Sequence, residues 1–147
     1  MPREDVSAWL SKNYAALEEG GFHYLGGEPN TQDPSEFETA DLRVLIVRLS
    51  TYDAMDGSMT HSLLAQCVRD EARKCGKKAF TDFAFLPPRK DYELFMKFGI
   101  SVLLPVLTKR EPREFDIIMV SHSLHLEQVN WPRLMIRSGI PLFNQIG

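Results

Sequence analysis

Cysteine is scarce in this sequence: Cys67 and Cys75 are the only two. They fall in one predicted helix, about 12 Å apart along its axis at ~1.5 Å per residue. Bridged Cα atoms lie within about 7 Å, so the two do not pair with each other. Their spacing matches no metal signature, and both are predicted as plain helix residues, in the core or at its edge. Positive charge is also short, with 17 Lys and Arg against 20 Asp and Glu, a net charge of −3 with histidine neutral. Such a balance does not gather nucleic acid or anionic lipid. No apolar run approaches the roughly 20 residues needed to cross a bilayer. The start, Met1-Pro-Arg-Glu-Asp5, lacks the apolar stretch of a signal peptide. A cytoplasmic protein with neither nucleic-acid nor membrane partner is expected. Three motifs are missing as well: the G-x-G-x-x-G of dinucleotide domains, the G-x-S-x-G elbow of α/β hydrolases, and any cluster of cysteines.

What is present reads as alternating elements. Apolar positions from Val6 to Leu17 recur at helical spacing, predicting an amphipathic helix over Arg3–Glu18, stopped by Gly20-Gly21. A connector rich in Gly, Pro and acids runs to Ala40, so residues 1–40 form an N-terminal helix and connector. Residues 41–147 form the main unit. "LRVLIVRLS" (Leu42–Ser50) is a continuous apolar run, the mark of a strand covered on both faces. A helix is predicted from Ser58 to Cys75, with Ser58 as N-cap, Gly76 beyond its end, and Met59, Leu63, Leu64, Cys67, Val68, Ala72 and Cys75 on its apolar stripe. Strands over Ala79–Leu86 and Phe115–Val120, a helix over Asp91–Phe98 closed by Gly99, and a helix from Asn130 to Ser138 follow. "ISVLLPVL" is predicted as an edge strand because Pro105 lacks a ladder donor. "IPLFNQI" is predicted as the last strand.

This order predicts an α/β fold: an open, mostly parallel sheet with helices on both faces, flavodoxin-like or Rossmann-like, preceded by an N-terminal helix. The end at Gly147, directly after an apolar strand, predicts an excised domain. In such sheets ligands bind beyond the carboxyl ends of the strands, and two loops carry polar side chains there. The first contributes Ser50, Tyr52, Asp53, Asp56, Gly57, Ser58, Thr60 and His61. The second contributes Ser121, His122, Ser123 and His125. Ser/His/acid catalysis has its residue types here, with Glu127 as the acid, but adjacent residues of an extended chain point to opposite faces. Three imidazoles, from His61, His122 and His125, suit a transition metal by type but not by spacing. Solvation and loop hydrogen bonding account for the same residues.

Several segments together resemble a known family. "YLGGEPN" (Tyr24–Asn30), "LRVLIVRLSTYDAMDGSMTHSLL" (Leu42–Leu64), "REFDIIMVSHSLHLEQVNW" (Arg113–Trp131) and "SGIPLF" (Ser138–Phe143) stand in the order seen in the N-terminal region of a group of radical SAM proteins. Met59, Thr60 and His61 resemble that family's methionine-serine-histidine. The resemblance implies a cobalamin-binding-type domain, cobalamin as its cofactor, and a radical SAM catalytic domain or subunit as its partner. The iron–sulfur cluster of such proteins needs C-x-x-x-C-x-x-C, which this chain lacks, so it holds no cluster itself. Cobalt ligation by histidine in this fold uses D-x-H-x-x-G. Asp53, Asp56 and His61 do not reproduce it. The resemblance therefore implies a non-catalytic domain binding cobalamin or a degenerate equivalent. A ligand-free scaffold domain and a small enzyme using His61, His122 or His125 as acid and base are the alternatives.

Overall fold

The structure is a computed structural model that describes residues 3–18, 22–25, 32–55, 58–121 and 125–141. Three strands, β1 (Leu42–Arg48), β2 (Ala79–Phe85) and β3 (Ile117–Ser121), form one sheet in the order β2-β1-β3. Both pairings are parallel, with Val44 opposite Thr81 on one side and Ile117 on the other. The flavodoxin-like or Rossmann-like α/β fold is thus as expected. β1 and β3 lie side by side and leave the sheet at the same edge.

β1 is central because its side chains suit no other place. Val44 to Val47 are at most 1% exposed, and alternate residues enter two separate cores. On one face Val44, Ile46, Phe83 and Phe85 pack with Val6, Trp9 and Leu10 of α1 (Arg3–Asn13) and Ala65 of α3 (Thr60–Lys74). On the other, Leu45, Val47, Phe80 and Ala84 meet Phe37 of α2 (Glu36–Thr39) and Leu134 of α5 (Trp131–Arg137). α4 (Arg89–Phe98) contributes to both cores, Phe95 to the first and Tyr92 and Met96 to the second. Gly76 and Gly99, expected to end helices, and Gly139 after α5 sit at φ near +70°, where residues with a Cβ are strained.

Several local expectations are corrected. α1 ends at Asn13, and a single tight turn over Tyr14–Ala16 replaces its predicted last turn. α3 begins at Thr60, with Met59 in the cap position and no side-chain cap; Ser58 Oγ is instead 3.3 Å from Thr60 Oγ1. The stripe of α3 is partly shifted: Leu64 and Val68 pack on the core as expected, but His61, Ser62 and Ala65 are buried, while Met59 and Leu63 are 49% and 65% exposed. Cys67 and Cys75 are free and exposed rather than in the core. β3 starts at Ile117, since Phe115 belongs to the preceding turn.

"ISVLLPVL" forms no strand, although Ile100 to Val106 is buried throughout. Its backbone finds other acceptors. Leu103 N–H donates to Ser138 Oγ (3.2 Å), and Val106 N–H to the Phe83 carbonyl (2.8 Å). Val106 and the Gln32 amide, which accepts from Thr81 N–H (2.9 Å) and donates to the Ala79 carbonyl (3.1 Å), cover the outer edge of β2. Of "IPLFNQI", Ile140 and Pro141 are not in a strand and residues 142–147 lie outside the described residues.

The amino edge of the sheet is closed by carboxylates. Asp41 accepts from Lys78 N–H and Asp116 from Arg43 N–H, each at 2.8 Å. Phe37 lies beside both guanidinium groups there, 5.1 Å from Arg43 and 4.2 Å from Arg110.

Candidate functional site

The carboxyl edge is built differently. Strand order turns at β1: the chain passes from β1 to β2 on one side, then crosses to β3 on the other. That reversal sets the β1 and β3 exits against each other, the place where open parallel sheets leave a crevice. Two hydrogen bonds bridge it. Arg48, the last residue of β1 and 4% exposed, donates from Nη1 to Ser121 Oγ (3.0 Å) at the end of β3. Ser50 donates from Oγ to Glu127 Oε1 (2.7 Å) in the turn after β3. The loop after β2 joins them, since Leu86 N–H is shared by the carbonyls of Arg48 and Ser50, both at 3.1 Å.

An aromatic group lies on the α3 side of this rim. Tyr52 stacks on His23 with ring centres 4.7 Å apart and planes 8° from parallel. Phe85 stands edge-on to Tyr52 at 5.1 Å and to His61 at 5.5 Å. Phe83 is edge-on to His61 at 5.0 Å. His23 and His61 are 2% and 3% exposed. His61 therefore lies beneath the rim, on the buried side of α3, because the helix rotates that position inward.

The predicted residues separate into groups. Ser50 and Ser121 come together through Glu127 and Arg48. Tyr52 and His61 share Phe85 but face the core, while Asp53 and Thr60 are exposed and Ser58 is half-buried on the way into α3. Asp56, Gly57, His122 and Ser123 lie outside the described residues, as does the side chain of His125. Arg48 and His23 were not among the predicted residues. Arg48 had a legible signal, a cation at the end of the apolar run "VLIVRLS". His23, in "FHYLGG", had none that sets it apart from a surface histidine.

Among the described residues, Ser50 donates its proton to a carboxylate, Ser121 accepts from a guanidinium, and no imidazole is set against either hydroxyl as a nucleophile requires. Among the described residues no three His, Cys, Asp or Glu side chains are grouped to hold a metal. His61 does not fit as a ligand to the cobalt of cobalamin: its ring is enclosed between α3 and the rings of Phe83 and Phe85.

No protein-family model, curated protein or solved structure matches this chain. Among the described residues, no helix is long and apolar enough to cross a membrane.

Proposed function

We propose that this chain is a non-catalytic domain of the cobalamin-binding type that serves a radical SAM catalytic domain, taking cobalamin at its carboxyl edge without a ligand from His61. The order of motifs from Tyr24 to Phe143 supports the family, and one structural observation supports the location. β1 and β3 are adjacent and parallel, so Ser50 and Ser121 stand across a single crevice. His61 packs inward against Phe83 and Phe85, which is consistent with the incomplete D-x-H-x-x-G of this loop.

Titration with hydroxocobalamin tests this. The corrin absorption bands are expected to shift on adding the chain, and to shift in the same way with His61→Leu, which keeps an apolar side chain in the buried position. Unchanged bands at high micromolar protein would remove the cofactor. A shift abolished by His61→Leu in a folded variant would contradict the ligand-free cobalt.

A second reading, a docking domain without cofactor, is favoured by a specific feature. Met59 and Leu63 expose apolar surface at the start of α3, next to the rim whose loops are already joined by Ser50 and Glu127. It predicts the unchanged spectrum.

A further inference from the structure

A cleft of about 560 Å³ opens at the same edge but on the opposite face of the sheet, between α4 and α5. Thr51 after β1 and Leu86 to Pro88 after β2 form one side of it; Tyr92, Asn130 and Arg133 form the other. Its size falls within the roughly 300–1,000 Å³ of small-molecule sites.

The charges around it are unequal in availability. Arg89 is engaged by Glu93, with Nε and Oε1 3.1 Å apart. Arg133 has no carboxylate partner among the described residues. Its guanidinium carbon is 5.6 Å from the centre of the Tyr92 ring, which orients a planar cation without neutralising it. The Tyr92 hydroxyl is screened from solvent and has no hydrogen-bond partner, an unfavourable state for a polar group. Asn130 makes no capping bond to α5, which leaves its amide uncommitted. Finally, Asp91, the acid in the first turn of α4, is 0% exposed and accepts from Glu18 N–H at 2.8 Å. It is drawn away from the cleft, and no side chain caps that helix start.

We propose that this cleft binds a small molecule through an oxyanion group, phosphate or carboxylate, held by Arg133 over the Tyr92 ring and completed by Asn130. A bidentate contact from a guanidinium is the strong form of such recognition. The leucine and proline side chains opposite accept the apolar remainder of the ligand. This goes beyond the cobalamin reading, because the anion contacts fall on Arg133 and Asn130 rather than on Ser50 and Ser121, and an anion titration reports on them separately from the corrin spectrum. Either can fail alone.

The test is an amide chemical-shift titration of the full chain with inorganic phosphate and, separately, with succinate, at constant ionic strength. Saturable shifts centred on Thr51, Tyr92 and Arg133 are expected with at least one of the two anions. Saturation by phosphate alone assigns a phosphate group, and saturation by succinate alone assigns a carboxylate. Arg133→Ala is expected to weaken binding by about tenfold or more, the loss of one charge-assisted contact. Tyr92→Phe, which removes only the screened oxygen and keeps the ring beside Arg133, is expected to leave the affinity unchanged. Shifts that grow linearly without saturating, or an affinity unchanged in Arg133→Ala, would overturn the proposal.

Discussion

Asp82 shows how a single side chain can direct a whole segment. It lies in the middle of β2 and is 1% exposed. Its carboxyl accepts from Phe83 N–H (2.7 Å), Leu107 N–H (3.0 Å), Thr108 N–H (2.8 Å) and Thr108 Oγ1 (2.7 Å). Three of those bonds hold the end of the buried, irregular stretch that the sequence suggested as a strand. Burial pushes the carboxyl above the ordinary carboxylate range, against the hydrogen bonds from Thr108, Leu107 and Phe83, which pull it down. For an acid whose folded pKa is raised, the folded state holds the proton more tightly. Its contribution to stability is then full below the unfolded pKa and is lost as pH rises through the folded value. Asp82→Ala should cost about 3 kcal/mol or more in urea unfolding, since it strands buried N–H donors. The advantage of wild type over Asp82→Asn should shrink as pH rises above the ordinary aspartate value of about 4. An advantage that grows with pH would contradict the raised pKa. The aspartate stood out in "AFTDFAFL", but its partners lie some 25 residues away, beyond the reach of any local pattern.

At the scale of elements, α3 separates what periodicity can and cannot say. The apolar spacing correctly marked a helix, and Gly76 correctly marked its end. The face was right only in part: Leu64 and Val68 of the predicted stripe pack on the core, but Met59, Leu63 and Cys67 are exposed, and His61 and Ser62, which the stripe left out, are buried. Aromatic surface accepts a histidine edge-on, so His61 went in and Leu63 stayed out. Leu63→Ser should therefore change unfolding free energy by no more than about 0.5 kcal/mol, as at an ordinary surface position. Ala65→Leu, at a position 0% exposed, should cost about 1–3 kcal/mol by overpacking. The reverse order would restore the predicted stripe. The segment Ile100 to Val106 makes the complementary point: Pro105 signalled an interrupted ladder, but only the fold shows Ser138 and Asp82 supplying the acceptors.

For the whole molecule, the alternation of strand and helix was enough to predict a parallel sheet, and the unbroken apolar run Val44 to Val47 was enough to make β1 central. Those features depend on burial averaged over many residues. The candidate site depends on pairs such as Arg48–Ser121 and Ser50–Glu127, each joining positions more than 70 residues apart, and was legible only as two polar loops. The two edges of the sheet now have distinct characters. The amino edge is fastened by Asp41 and Asp116 onto backbone N–H groups, which consumes its polar capacity in holding the strands. At the carboxyl edge the polar groups are side chains linking loops, and these can exchange partners without unpairing the sheet.

Hydrogen–deuterium exchange of the full chain with and without excess hydroxocobalamin tests that asymmetry most directly. Slower exchange is predicted in the loop containing Leu49 to Tyr52 and in the turn from Glu127 to Asn130, with no change around Asp41, Lys78 and Asp116. Protection confined to the amino edge, or spread evenly over the chain, would contradict a ligand face at the carboxyl ends of β1 and β3.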